Sequence, residues 1–107
     1  MPALPGPGGG IVKATPNVDC VADPAGGWRC TVSVRDGDRE VTRHEVGVKP
    51  ADLERLAPGD PDPARLVAAS FEFLLEREPP SSILRSFDLM VIARYFPEFE
   101  TEIRRTP

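Results

Sequence analysis

Cys20 and Cys30 are the only cysteines of this 107-residue chain and His44 is its only histidine, so thiol and imidazole chemistry have few places to occur. A metal site needs about four ligands, and no second cysteine pair or histidine cluster completes one. The C-x-x-C spacing of a redox motif is absent as well. The two cysteines read as small buried hydrophobes, free thiols in a reducing compartment. A disulfide is conceivable under oxidation if their strands pair side by side. His44 and Glu45 make no dyad, because neighbours on a strand point to opposite faces. With no serine or cysteine placed as a nucleophile, His44 reads as a packed amphipathic residue rather than a general base. Asp60/Asp62 and Glu98/Glu100/Glu102 miss the fixed ligand offsets of a calcium loop, and Gly8-Gly9-Gly10 precedes no helix that would hold a phosphate. The expectation is a chain without catalytic residues, metal or cofactor, and not an enzyme.

Two stretches could instead bind something. Arg29, Arg35, Arg39 and Arg43, interleaved with Thr31, Ser33 and Val41, fall by strand parity on one side of a hairpin. Arginine forks there would suit phosphates or an acidic protein. The net charge of -4 and the nearby Asp36, Asp38 and Glu45 dilute that field, so nucleic acid or another polyanion is the alternative reading. The second stretch is apolar. Most of the aromatic residues lie between Phe71 and Phe99, and Leu89-Met90-Val91-Ile92 cannot all face one sheet. Either this segment is a helix buried all round, or Met90, Val91, Tyr95, Phe96 and Phe99 form a protein–protein surface, most simply that of a homodimer. Self-association through the C-terminal helices is the leading functional expectation.

The elements that must position these residues are legible from periodicity. Trp28–Arg35 alternates apolar and polar and reads as a half-buried strand. Asp36-Gly37-Asp38 is a hairpin signal, and the return strand covers about Arg39–Val48. An odd, three-residue loop with Gly37 left-handed puts Thr42, His44, Val46 and Val48 on the face of Trp28, Cys30, Val32 and Val34. An even loop would bury Val41 at the expense of two valines. Upstream, Asn17–Ala22 can pair with Trp28–Val34 so that Val18 meets Val32 and Cys20 meets Cys30, and Ile11-Val12 can add a short edge pairing that Pro16 interrupts.

Pro50–Ala57 reads as a short helix with Lys49 as a poor cap. Asp62-Pro63 opens the next helix, whose buried stripe is Leu66, Val67, Ser70, Phe71, Leu74 and Leu75, widened by Phe73. Pro79-Pro80 stops it. Ser81-Ser82 is expected to cap a brief helix holding Ile83, Leu84 and Phe87, and Asp88 to cap Leu89–Phe96. Pro97 breaks that segment, and Phe99 and Ile103 suggest a last turn. The predicted fold class is α+β: a meander of about three antiparallel strands, then three or four helices packed on one face. Residues 1–10 read as a disordered leader before one domain over residues 11–104. Nothing approaches a membrane span or a signal peptide, so the expected compartment is the cytoplasm.

The runs Pro50-Ala51-Asp52-Leu53-Glu54-Arg55-Leu56, Ala69–Glu78, Ser82-Ile83-Leu84-Arg85 and Phe87-Asp88-Leu89 with Arg94-Tyr95-Phe96-Pro97 resemble a family of short uncharacterised bacterial proteins of actinobacterial type. The resemblance covers roughly residues 28–100. It implies a free-standing cytoplasmic domain of this size and carries no activity, ligand or catalytic residue with it.

Overall fold

A computed structural model describes residues 14–105, so the leader and the Ile11-Val12 pairing lie outside the described residues. Alternation along the chain produces β1 (Ala14–Ala22), β2 (Trp28–Asp36) and β3 (Arg39–Val48), paired antiparallel in sequence order. The expected register holds on both sides of β2. Val18 faces Val32, Cys20 faces Cys30, Val46 faces Cys30 and Val48 faces Trp28. Val32, Val34 and Val46 are wholly buried as a result.

Two details differ from expectation. The hairpin loop is two residues, Gly37-Asp38, because Asp36 pairs with Arg39 and Arg35 with Glu40. A bulge beyond Glu40 leaves Val41 unpaired and returns Thr42 opposite Val34, which restores the parity that buries the valines. Gly37 is left-handed, at φ 63°. Pro16, secondly, does not interrupt β1 but pairs with Val34 inside it. Cys20 and Cys30 lie 4.0 Å apart between Cα atoms, the spacing of a pair that exchanges no backbone hydrogen bonds. Pro16, four residues earlier, has the same parity, so its missing N–H points away from β2 and costs the ladder nothing.

The brief helix expected after Ser81-Ser82 is absent. A single 3-10 turn, Pro80–Ser82, is followed by extended backbone at Ile83 and by β4 (Ser86–Asp88), which joins the sheet parallel to β3. Backbone accounting explains the change, because the free edge of β3 carries donors and acceptors that need partners. Glu45 N–H donates to the Arg85 carbonyl (2.7 Å) and Leu89 N–H to the Gly47 carbonyl (2.9 Å), so extended chain satisfies groups a helix would leave unpaired.

Among the described residues four helices cover one face of a four-stranded sheet: α1 (Pro50–Leu56), α2 (Pro63–Leu75), α3 (Val91–Tyr95) and α4 (Phe99–Arg105). Asp62 caps α2 through Ala64 N–H at 2.9 Å, whereas Lys49 gives α1 no side-chain cap. Asp88 does not start a helix directly; its carboxylate accepts from Met90 N–H (3.1 Å) and closes the turn leading into α3. Phe71 on α2 sits at the centre of the core, its ring 5.2 Å from His44 and 6.0 Å from Phe87. Phe73 packs edge-on against Phe96 and Phe99, and the Arg77 guanidinium lies over the Phe73 ring at 3.6 Å. Arg55 ties α1 to Glu100 of α4. Among the described residues no helix is long and apolar enough to cross a membrane.

Candidate functional site

Four places stand out from the sequence, and the fold treats each differently. Cys20 and Cys30 are joined in a disulfide rather than held as two free thiols. Strand register alone explains this, since directly opposed residues of a narrow antiparallel pair bring their Cβ atoms within bridging reach.

His44 is buried in the core and fully satisfied. Its Nδ1 is 2.7 Å from the Leu84 carbonyl and its Nε2 is 2.9 Å from the Thr42 hydroxyl. The neutral ring satisfies both, with Nδ1–H donating to Leu84 and Nε2 accepting from Thr42. Burial pushes the imidazole below its ordinary pKa, the Leu84 carbonyl opposes this, and the Arg85 charge adds to the fall. An imidazole that resists protonation only when folded stabilises the protein fully above its unfolded-state pKa. That contribution is lost as pH falls through the lower folded-state value. Urea midpoints measured between pH 7.5 and 5.5 are expected to decline for the parent. They should decline less for His44→Gln, which keeps donor and acceptor without the titration; equal slopes would refute the assignment.

Among the described residues no helix covers the outer side of the sheet. Arg29, Arg35 and Arg43 lie on it as expected, but the bulge moves Arg39 off that row, opposite Asp36, and brings Glu40 in line instead. Glu40 accepts from Ser33 (2.7 Å) and from Arg43 (3.0 Å), and these bonds hold its carboxyl below the usual range. Arg29 meets Glu45 (3.4 Å) and Asp23 (3.7 Å), and Arg35 donates to the Asp38 carbonyl. The row therefore presents alternating, internally paired charge rather than a cationic ribbon.

The apolar surplus resolves into a cleft of about 220 Å³ where the end of α2, the segment after the 3-10 turn, β4 and α3 converge. Leu74, Ile83, Phe87, Ile92 and Phe96 form its floor and walls, with Val91, Leu84 and Tyr95 at the mouth. Leu84 is 48% and Tyr95 67% exposed, a large share for such side chains. Of the five residues predicted as an interface, Val91, Tyr95 and Phe96 line this cleft. Phe99 does not: it is wholly buried against Phe73. Met90 turns away towards α1, its sulfur 3.5 Å from the Arg55 guanidinium. Phe99 lies beyond Pro97, where the chain leaves α3 and starts α4, whereas Met90 caps the start of α3 outside its helical face.

Leu84 escaped the sequence reading because a helix was expected there, and helical periodicity hid that extended backbone would turn it outwards. Glu78 lines the same cleft without an ion-pair partner among the described residues, and Arg85 and Arg94, chain neighbours of Leu84 and Tyr95 but not part of the lining, have none among them either. Among the described residues no group of three or more histidine, cysteine or acidic side chains could hold a metal ion. Every buried side-chain nitrogen or oxygen among them has a hydrogen-bond partner. No family model, curated protein or solved structure matches the chain.

Proposed function

We propose that this protein is a non-enzymatic interaction module that pairs with a second copy of itself through the cleft between α2, β4 and α3. The reading rests on one observation: Leu84 and Tyr95 stand exposed at the mouth of an apolar cleft, at 48% and 67%. Leaving such side chains in water forgoes about 25 cal/mol for each Å² of apolar surface that a partner could cover. Aromatic residues with a polar tip suit this position, since the ring is covered while the hydroxyl stays at the rim.

A second copy is the occupant that fits the rim. Among the described residues Glu78, in the lining, has no ion-pair partner, and neither have Arg85 and Arg94, which follow Leu84 and precede Tyr95 in the chain. In a two-fold arrangement each surface meets itself, so a rim bearing both signs is its own complement. An acidic or basic partner would leave one sign uncompensated. We place the pair in a bacterial cytoplasm, as the family resemblance implies.

Light scattering coupled to gel filtration at micromolar concentration should give twice the chain mass for the parent. Tyr95→Glu should run as a monomer, because two buried carboxylates near the axis weaken pairing by well over tenfold. Its thermal unfolding at low concentration should match that of the parent monomer, since Tyr95 contributes little to the fold. A parent that remains monomeric at high concentration would end this proposal.

A further inference from the structure

Strand β1 differs from its neighbours in how it is held. None of its nine residues is fully buried, whereas β2 and β3 supply Cys30, Val32, Val34, Val46 and Val48 to the core. Val18 and Cys20 only lean on that core, and Val21 is 59% exposed. Among the described residues no strand pairs along the outer side of β1, the edge of the sheet. α2 packs more extensively on β1 than on any other strand, and β1 meets it with half-buried side chains. An edge held by ladder bonds and partial burial sits at the low end of local stability. A single covalent bond, Cys20–Cys30, fastens it to a wholly buried residue of β2.

We propose that the Cys20–Cys30 disulfide is a redox latch: reduction by a dithiol releases β1 from the sheet, while β2, β3 and the helices keep their fold. The reductant's thiolate attacks the Cys20 sulfur, which is the more accessible of the two. Cys30 leaves as a thiolate and takes up a proton. The reductant's second thiol then displaces Cys20, so two protein thiols form as the dithiol becomes a disulfide.

The turn at Asp23–Gly27 is built to remain as β1 moves. Asp23 N–H donates to the Gly27 carbonyl (2.9 Å) and Gly26 N–H to the Asp23 carbonyl (2.8 Å), so the turn closes on itself. Gly27 is pressed against Val48 and stays with β2 and β3. Released, β1 uncovers the outer backbone edge of β2, a row of donors and acceptors able to take up another strand. The cleft lies at β4, the edge of the sheet opposite β1.

The bond spans ten residues, and a loop of that size is expected to shift the opening equilibrium of β1 by about 100-fold. Hydrogen exchange followed by mass spectrometry on the whole protein, oxidised and then treated with a phosphine reductant, reads this directly. Peptides over Ala14–Ala22 should lose protection by one to two orders of magnitude on reduction, with β3 and α2 peptides unchanged. The Cys20→Ser variant should exchange like the reduced parent and show no response to reductant. Equal protection of β1 in both states would overturn the proposal. Loss of protection across β3 and α2 would overturn it too, since the bond would then hold the whole fold. A protein in which mild oxidation fails to consume both thiols would overturn it at the first step.

Discussion

Phe71→Ala will destabilise the protein by about 3–5 kcal/mol, the range for removing a fully buried aromatic ring. Phe71 is wholly buried, and its ring stands between His44 on β3 and Phe87 on β4. Its removal therefore opens a cavity at the one point where α2, the hairpin and the parallel strand meet. The walls cannot collapse easily. His44 is tethered by hydrogen bonds at both ring nitrogens, and Phe87 is fixed by the pairing of β4 with β3. Domains of this size have total stabilities of about 5–15 kcal/mol, so the loss is a large part of the whole. Urea unfolding followed through Trp28, the single tryptophan, at fixed protein concentration will measure it. Phe71→Leu, which keeps much of the volume, should recover more than half of the difference. A cost under 1 kcal/mol for the alanine variant would mean that the helix layer does not close over the sheet at this point.

Gly27→Ala will cost about 3–4 kcal/mol, far more than the same change at Gly37. Both glycines adopt positive φ, 78° and 63°, so each alanine meets the left-handed penalty of about 1–2 kcal/mol. Their surroundings separate them. A Cβ on Gly37 meets nothing within 4 Å, whereas on Gly27 it would lie 2.2 Å from the Val48 carbonyl oxygen. Lys49 Cα and Pro50 Cδ stand at 3.2 Å. These atoms belong to the strand end and the first turn of α1, so no side-chain rotation relieves the clash. Displacing packed backbone adds about 1–3 kcal/mol. Denaturant midpoints of the two variants, compared at equal m-values, test the contrast. Similar costs at both positions would show that β3 and α1 do not approach the β1–β2 turn so closely.

The meander was readable because a strand reports its two faces directly in the chain. Trp28, Cys30, Val32 and Val34 alternate with polar residues, and the return strand has one register that keeps Val46 and Val48 out of water. The same parity set Cys20 opposite Cys30. Whether they bond is not written in residue spacing, however, and the buried-thiol expectation leaned on compartment rather than geometry. Helix starts were equally plain where a cap and a proline coincide, as at Asp62-Pro63. Ser86-Phe87-Asp88 was not readable as a strand. Three residues are too few for a period, and what makes them a strand is the unpaired edge of β3, formed by residues some forty positions earlier.

The cleft shows the same division. Composition marked the segment from Phe87 to Phe99 as richer in apolar surface than a short helix can hide. It could not say which of Met90, Val91, Tyr95, Phe96 and Phe99 remain outside, because the bend at Pro97 and the packing of α4 on Phe73 decide that. Local order along the chain dictates what is periodic: strand faces, helix caps and turn glycines. Assignments that depend on an edge, a bend or a facing ring belong to the assembled molecule, since the atoms that select them are distant in sequence and meet only when the layers close.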